Sequence, residues 1–274
     1  MKKSNLRLTS VTLLIAALLF IMASCSKTGP DGPQGPQGPS GPAYNTGSIF
    51  GFITLYDQYG AKVGTASSLK GIKVIIDGTS KVALTDSTGK YSFSNLNTGT
   101  YSITITDTVN PQYAASQVNN IAILLGPSQH DVHLGQIPTF TFTSLTMTDT
   151  IRKGIAGVID TNFVAIRGNI NPDFNTRTIL VYFGSNSLVS SNPANYFGVN
   201  SFTIPANAKT FLFYIDQTVF ENAGFTSGST VYFMTYPAGI NYASASEYED
   251  LNTGRLIYND INTSAGVTSS ATVK

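Results

Sequence analysis

The chain has one cysteine, no tryptophan and little charge. Because Cys25 is the only cysteine, no disulfide can form within the chain and no thiolate cluster can hold a metal. Charged residues make up 11% of the sequence, and the formal net charge is +1. This balance excludes the basic surface of a nucleic-acid-binding protein, and no acidic tail is present. Stability must therefore come from buried apolar area, which a chain of 274 residues can supply.

The N-terminal segment has the order of an export signal. Three basic residues open the chain: Lys2, Lys3 and Arg7. The apolar run that follows, residues 11–23, is shorter than the ~20 residues that span a bilayer comfortably. Small residues then precede Cys25, which resembles the lipobox of bacterial lipoproteins, where the cysteine becomes the lipidated N-terminus. We predict a signal helix over residues 1–24 and a lipid on Cys25. The alternative is an ordinary membrane anchor or cleaved signal.

Residues 29–43 repeat glycine and proline in five Gly-Pro-X triplets. The repeat resembles a collagen-like sequence, in which glycine fits the crowded axis of three chains. Two interpretations stay open: a stiff spacer, or a stalk through which three chains associate. As an extended helix, fifteen residues reach about 45 Å at 3.1 Å per residue. We therefore assign residues 25–45 to a lipidated linker.

Residues 46–137 have the pattern of a small β-sandwich. Apolar and polar residues alternate over residues 101–106 and 72–76, which is typical of half-buried strands. Turn signals lie at residues 85–90 and 97–99, where Asp, Asn and Gly are concentrated. Turns recur about every ten residues and no long helical period interrupts them, as in an antiparallel sandwich.

This segment resembles the carboxypeptidase regulatory-like domains, which have a transthyretin-like, seven-stranded sandwich. The main evidence is the string Thr-Asp-x-x-Gly-x-Tyr-x-Phe-x-x-Leu-x-x-Gly-x-Tyr, which starts at Thr85. Residues 51–53 and 71–74 resemble the first two strands of that family. The resemblance implies a fold and a modular role, and it implies no catalysis.

A second set of strands follows Pro138 and fills residues 138–274. Short β-prone runs are bounded by Asn, Gly, Pro or Ser; they are residues 163–166, 179–183, 211–215 and 231–236. Residues 221–225 are expected to form one helical turn. We predict an all-β protein with two consecutive antiparallel sandwiches, the second immunoglobulin- or fibronectin-like and of no specific family.

The whole chain resembles two-module envelope lipoproteins of the Bacteroidetes type. Those lineages often place acidic residues directly after the lipidated cysteine of surface-displayed proteins. Here Ser26, Lys27 and Thr28 follow Cys25, and Asp31 is the first acid. An outer-membrane position is expected, and the surface-facing and periplasm-facing orientations both stay open.

Catalytic and metal-binding patterns are weak. The two histidines, His130 and His133, would face opposite sides of a strand and would not converge on a metal. No serine stands in a Gly-x-Ser-x-Gly elbow. The spacing of the acids of the second module specifies no catalytic pair; these acids are Glu221, Glu247, Glu249 and Asp250. Residues 247–252 offer oxygen ligands for calcium, but without the regular spacing of a calcium-binding loop. We favour a hairpin turn at residues 250–254 and expect no metal and no cofactor.

Aromatic residues near loops of the second module are the candidate binding residues. They are Tyr196, Phe197, Tyr236, Tyr242 and Tyr248. A loop tyrosine offers a flat apolar face and a hydroxyl group, which suits a sugar ring, so Tyr236, Tyr242 and Tyr248 are the predicted glycan-binding residues. The alternative is that these rings pack in the core or anchor loops.

The expected function is that of a non-enzymatic envelope lipoprotein that presents sandwich modules for binding or adhesion. One alternative is a carbohydrate-binding accessory protein. Another is an assembly factor that trimerises through the collagen-like repeat. The expected partners are the membrane, through the lipid, and a glycan or another envelope protein, with no nucleic acid. The chain would be a monomer or a stalk-mediated trimer.

The lipidation prediction can be tested by metabolic labelling with radioactive palmitate. We expect label in the wild-type protein and none in Cys25→Ala, because the thiol is the acceptor of the lipid. Ser26→Ala is the matched control and should be labelled like the wild type. Equal labelling of Cys25→Ala and the wild type would show that Cys25 is not the lipid acceptor.

Overall fold

The computed structural model describes residues 46–152, 161–240 and 247–274. All described residues belong to one compact unit, Tyr44–Lys274. The predicted signal helix, Cys25, the Gly-Pro repeat and Tyr242 lie outside the described residues. Within the described residues, no helix is both long and apolar enough to cross a membrane.

The first part of the described chain is a two-layer β-sandwich. Its elements are β1 (Thr46–Tyr56), β2 (Lys62–Val63), α1 (Ala66–Leu69), β3 (Lys73–Ile76), β4 (Val82–Leu84), β5 (Lys90–Asn97), β6 (Gly99–Thr106), β7 (Ser116–Ile123), β8 (Gly126–Gln129) and β9 (Val132–Gly135). One sheet has the order β2-β1-β5, and β8 and β9 also pair with β1. The other has the order β4-β3-β6-β7.

Alternating aliphatic residues from the two sheets form the core of this sandwich. On β1, Ile49, Ile53 and Leu55 point inward, as the period of two requires. They pack in one cluster with Ile72, Val74 and Ile76, the alternation that the sequence predicts. Full burial of each such side chain contributes about 1.5–3 kcal/mol. The all-β prediction is confirmed for this part of the chain.

Two strand pairings in the first sandwich are parallel. β8 and β9 run alongside β1 in the same direction, with Phe50 opposite Gln129 and Ile53 opposite Val132. Gly51 makes this approach possible, because a Cβ there would lie 1.8 Å from the carbonyl oxygen of His130. The predicted antiparallel sandwich therefore contains two parallel strand pairs that the turn pattern could not reveal.

The second part of the described chain forms two further sheets and a hairpin. Its strands and α-helix are β10 (Phe142–Arg152), β11 (Thr161–Ile170), β12 (Arg177–Gly184), β13 (Gly198–Ile204), β14 (Thr210–Asp216), α2 (Thr218–Asn222), β15 (Thr230–Ala238), β16 (Glu247–Glu249), β17 (Leu256–Tyr258) and β18 (Val267–Thr272). Two short 3₁₀ helices lie at Pro193–Asn195 and Thr263–Ala265. The sheets have the orders β10-β11-β14 and β13-β12-β15-β18, and β16 pairs with β17.

The helical turn of this part begins three residues before the predicted start at residue 221. α2 runs over Thr218–Asn222 because Phe220, fully buried, packs edge-on against Phe183 and Phe233. Gly224, with φ +91°, follows the helix in the left-handed region that glycine adopts readily. The predicted bounds were therefore wrong by three residues at each end.

Strand β12 is buried along its whole length, on both faces. Its inner face contributes Ile179, Val181 and Phe183 to the core between the two sheets. Its outer face contributes Leu180 and Tyr182 to a smaller, separate cluster. Tyr196, Tyr258 and Ile261 belong to that cluster and lie over the outer face of the sheet. A third layer therefore covers part of the second sandwich.

Hydrogen bonds join the first and second sandwiches. The hydroxyl group of Tyr59 donates to Oδ2 of Asp173 at 2.7 Å. The side-chain amide of Asn119 donates to the carbonyl oxygen of Glu249 at 3.0 Å. The second of these bonds joins β16 of the hairpin to β7 of the first sandwich.

Two leucine-to-alanine substitutions test the assignment of the first core. Leu55→Ala should lower the free energy of unfolding by about 2–5 kcal/mol, because the side chain is fully buried and its removal leaves a cavity. Leu125→Ala is the control: Leu125 is 65% exposed, so its removal should change that free energy by less than about 0.5 kcal/mol. Urea unfolding of both variants gives the measurement. Equal losses would mean that the core is misplaced.

Candidate functional site

A cleft of about 340 Å³ opens on the outer face of the sheet that contains β12 and β13. We call it the acidic cleft. It is lined by Thr178, Leu180, Ser201, Thr203, Ala238, Gly239, Ile240, Glu247, Tyr258 and Asp260.

The floor of the acidic cleft is the outer face of β12 and β13, and the strand register explains why three hydroxyl groups lie on it. Thr178 lies opposite Thr203, and Leu180 lies opposite Ser201 across β12 and β13. Because side chains alternate between the two faces of a strand, these four residues point to the same outer face. The hydroxyl groups of Thr178, Ser201 and Thr203 can each donate and accept hydrogen bonds. Leu180 adds an apolar patch between them.

The wall of the acidic cleft comes from the hairpin and the chain that follows it. Glu247 on β16 pairs with Tyr258 on β17. Two residues later, the carbonyl oxygen of Asp260 accepts a hydrogen bond of 2.8 Å from the backbone N–H of Gly239. The backbone N–H of Asn262 donates to the carbonyl oxygen of Pro237 at 2.9 Å. These backbone bonds fix Asp260 beside the end of β15, with Glu247 nearby.

Asp260 is a buried carboxylic acid. The residue is 4% exposed, and burial raises the pKa of its carboxyl group to about 6, because a charged carboxylate is poorly solvated there. A hydrogen bond from its own backbone N–H lowers the pKa, and the negative charge of Glu247 raises it. Gly239 leaves room for the carboxylate, since a Cβ there would lie 2.5 Å from Oδ2 of Asp260. The carboxyl group therefore titrates near pH 6.

A cluster of four tyrosines lies beside the acidic cleft. The ring of Tyr182 is fully buried and meets the rings of Tyr196, Tyr236 and Tyr258 edge-on, at centroid distances of 5.1, 5.7 and 6.5 Å. Its hydroxyl group has no hydrogen-bond partner among the described residues. Burial raises the pKa of Tyr182, with smaller contributions from the other three tyrosines and Asp260. The cluster holds the outer layer on the sheet.

The structure separates the three tyrosines that the sequence predicts as a glycan platform. Tyr236 is 5% exposed and packs in the tyrosine cluster, so its ring face is closed to solvent. Tyr248 is half-buried on β16 and is absent from the lining of the acidic cleft. Tyr242 lies outside the described residues. The tyrosine that does line the cleft is Tyr258.

The other two candidate aromatics have different environments. Tyr196 is 4% exposed, and its hydroxyl group donates to the carbonyl oxygen of Leu256 at 2.5 Å. Phe197 is 48% exposed and lines a more open groove of about 440 Å³ together with Phe225 and Tyr232. The guanidinium group of Arg255 lies over both predicted rings, 5.4 Å from Tyr196 and 5.8 Å from Phe197. Tyr196 thus ties its segment of the chain to β17.

Of the four acids that the sequence singles out, Glu247 alone lines the acidic cleft. Glu221 and Glu249 are exposed. Oδ1 of Asp250 accepts hydrogen bonds from the backbone N–H groups of Asn252 and Thr253, at 3.0 and 2.8 Å. These bonds build the hairpin turn between β16 and β17, which the sequence predicts at residues 250–254. Asp260 was missed because it lies in no motif, and only the backbone pairing at Gly239 brings it to Glu247.

The two histidines lie apart from the acidic cleft. Nε2 of His130 is 2.9 Å from the hydroxyl group of Ser128, and the ring of His133 packs edge-on against Tyr56 at 5.2 Å. His130 is half-buried in the break between β8 and β9, with Asp131 exposed after it. Within the three described segments, no group of three or more His, Cys, Asp or Glu residues could hold a metal ion.

Comparison with known proteins gives distant likenesses only. A cohesin–X-dockerin complex from Acetivibrio cellulolyticus matches at 25% identity over 31% of this chain and 51% of that chain, with a TM-score of 0.25. A candidate carbohydrate-binding protein from Bacteroides uniformis matches at 18% identity over 81% and 98%, with a TM-score of 0.26. A DUF3823 family protein from Parabacteroides merdae matches at 14% identity over 84% and 100%, with a TM-score of 0.27.

The match to the Acetivibrio protein spans about half of that chain's length. No family model and no curated protein matches the chain. Because the TM-scores are low, the fold is assigned from the strand pairing within this chain. The resemblance of residues 46–137 to carboxypeptidase regulatory-like domains stays a prediction.

The raised pKa of Asp260 predicts a particular dependence of stability on pH. The folded protein keeps this proton to a higher pH than the unfolded chain, so the stability that the group contributes is present below pH 3.8 and is lost as the pH rises through about 6. Asp260→Asn removes this loss. Relative to wild type, the variant should gain about 2 kcal/mol in unfolding free energy between about pH 4 and pH 7.

Urea unfolding of both proteins across this pH range gives the measurement. Glu221→Gln, which replaces an exposed acid, is the control and should follow the wild-type profile. Parallel profiles for Asp260→Asn and wild type would show that Asp260 is not buried as a charged group.

Proposed function

We propose that the protein is a non-enzymatic, lipid-anchored envelope protein that binds a carbohydrate in the acidic cleft. The observation that carries this proposal is the lining of the cleft, where hydroxyl groups and carboxylates surround a small apolar patch. Sugars present adjacent hydroxyl groups that donate to carboxylates and accept from side-chain hydroxyls. The C–H faces of a sugar ring are apolar and suit Leu180, Ile240 and the ring of Tyr258.

The size and rigidity of the acidic cleft favour a small ligand. Its volume of about 340 Å³ is near the lower end of the range of about 300–1,000 Å³ for small-molecule sites. Such a volume suits one sugar unit or the end of a chain. The floor belongs to β12, which is buried on both faces and pairs with β13 and β15. A rigid floor lowers the entropic cost of binding.

The N-terminal sequence supports the envelope part of the proposal. The lipobox-like sequence at Cys25 would give the membrane anchor, and the Gly-Pro repeat would give the spacer. A spacer of about 45 Å would let a tethered cleft reach glycans beyond the lipid head groups. Multiple acyl chains hold a protein on a membrane more firmly than one. Together, the N-terminal sequence and the lining of the acidic cleft favour a carbohydrate-binding accessory lipoprotein.

A bulky side chain in the floor should close the acidic cleft. Ser201 is an exposed residue of this floor, so Ser201→Tyr should be tolerated by the fold and should weaken glycan binding at least about tenfold. Binding is measured with the full-length chain in detergent, first on a glycan array and then by calorimetry with the best sugar. Ser94→Tyr, at an exposed serine of β5, is the matched control and should bind like wild type.

Two results would contradict the proposal. One is a folded wild-type protein that retains no glycan on the array. The other is a glycan that Ser201→Tyr and wild type bind with equal affinity, since that glycan would occupy another surface.

A further inference from the structure

The acidic cleft has negative charge and no positive charge in its lining. Of its ten lining residues, Glu247 and Asp260 are acidic and none is basic. Within the described parts of the chain, no basic side chain lies at ion-pair distance from either carboxylate. Two arginines of the second sandwich have other partners: Arg255 donates to the carbonyl oxygen of Pro193, and Arg177 to those of Asn171 and Ala208.

Asp260 is the more unusual of the two acids. Its side chain is buried to more than nine-tenths and lines the cleft, yet the only donor to its carboxylate among the described residues is its own backbone N–H. A buried carboxylate is costly unless a cation or several hydrogen bonds compensate it. The backbone pairing of residues 238 and 261 holds the backbone of Asp260 at the sheet edge, and its carboxylate lies against Gly239.

A primary ammonium group has the chemistry that this arrangement lacks. It is a compact cation with three N–H donors. Two carboxylates and the hydroxyl groups of Thr178 and Tyr258 are acceptors within the same cleft. Hydrogen bonds between an ionised donor and an ionised acceptor are roughly twice as strong as neutral ones. A ligand with such a group would supply the counter-charge that Asp260 is missing.

We infer that the acidic cleft selects a sugar that carries a free primary ammonium group, with Asp260 and Glu247 as its counter-charges. This inference rests on the proposed carbohydrate-binding function and deepens it by naming the class of sugar. Uronic acids would be repelled by the two carboxylates. An N-acetylated sugar would bring an uncharged amide and leave Asp260 uncompensated.

The inference has a consequence for the pH dependence of binding. The titratable groups near Asp260 are Glu247 from β16, Tyr258 from β17 and Tyr182 from β12. Because the pKa of Asp260 is about 6, the ionised form that pairs with an ammonium group rises from a minority at pH 5 to a majority at pH 6.5. If the cation binds only this form, its affinity rises about eightfold over that interval. A neutral sugar whose oxygen accepts a hydrogen bond from the protonated carboxyl group of Asp260 would show the opposite trend.

Three monosaccharides that differ only at C2 test the inference. They are glucosamine, N-acetylglucosamine and glucose, which carry an ammonium group, an acetamide and a hydroxyl group there. Calorimetry uses the full-length chain in detergent at low ionic strength and pH 6.5. We expect glucosamine to bind at least about tenfold more tightly than the other two, and its affinity to fall about eightfold at pH 5.

Two variants and a control make the result specific. Asp260→Asn and Glu247→Gln should each reduce glucosamine binding towards the level of glucose, and Asp260→Asn should also remove the pH dependence. Glu247 is half-buried, so its variant keeps the test valid if Asp260→Asn folds poorly. Glu221→Gln removes an exposed acid outside the cleft and should leave binding unchanged.

The outcomes separate this inference from the proposed function. If all three sugars bind equally and Ser201→Tyr abolishes their binding, the amino-sugar inference is wrong and the carbohydrate site stands. If glucosamine binds Glu247→Gln and Asp260→Asn as tightly as wild type, the inference is also wrong. If no sugar binds the folded protein, here or on the array, both are wrong.

Discussion

The structure depends on the burial of strand β12 on both of its faces. An antiparallel sandwich commonly buries one face of each sheet and leaves the other to water. Here Ile179, Val181 and Phe183 fill the inner core, while Tyr182 on the opposite face is sealed under three other tyrosines. The contact between Tyr182 and Tyr258 holds the β16–β17 hairpin of the outer layer over β12. The backbone bond between Gly239 and Asp260 holds Asp260 beside it. The acidic cleft is the gap that remains between this layer and β13.

Much of the fold could be predicted from the sequence, because alternation reports burial directly. The period of two predicts a strand at Ile72, Val74 and Ile76, and all three side chains are fully buried. The turn at Asp250 was recognisable from the sequence, because an Asp side chain accepts hydrogen bonds from the backbone just ahead of it and Gly adopts a positive φ. The parallel pairing of β1 with β8 and β9 was not, since it depends on how closely Gly51 lets another chain approach. Contacts between residues far apart in sequence leave no local pattern.

The candidate site was harder to predict for the same reason. Tyr236 was expected near a loop because of its flanking residues, but it lies opposite Leu180 in the sheet and under the tyrosine cluster. Asp260 follows a polar residue and resembles a solvated loop acid, whereas its burial comes from pairing with Gly239, 21 positions earlier. The serine and threonines of the floor look like ordinary surface residues of a sheet. Only the register of β12 with β13 shows that they share one face with Leu180.

A crystal structure of the protein grown with glucosamine tests the central idea most directly, because it shows at once where the sugar lies and what its nitrogen contacts. The expected result is a sugar on the floor of β12 and β13, with its ammonium group within hydrogen-bond distance of the carboxylates of Asp260 and Glu247. A sugar bound elsewhere, or an Asp260 carboxylate turned away into solvent, would contradict the idea.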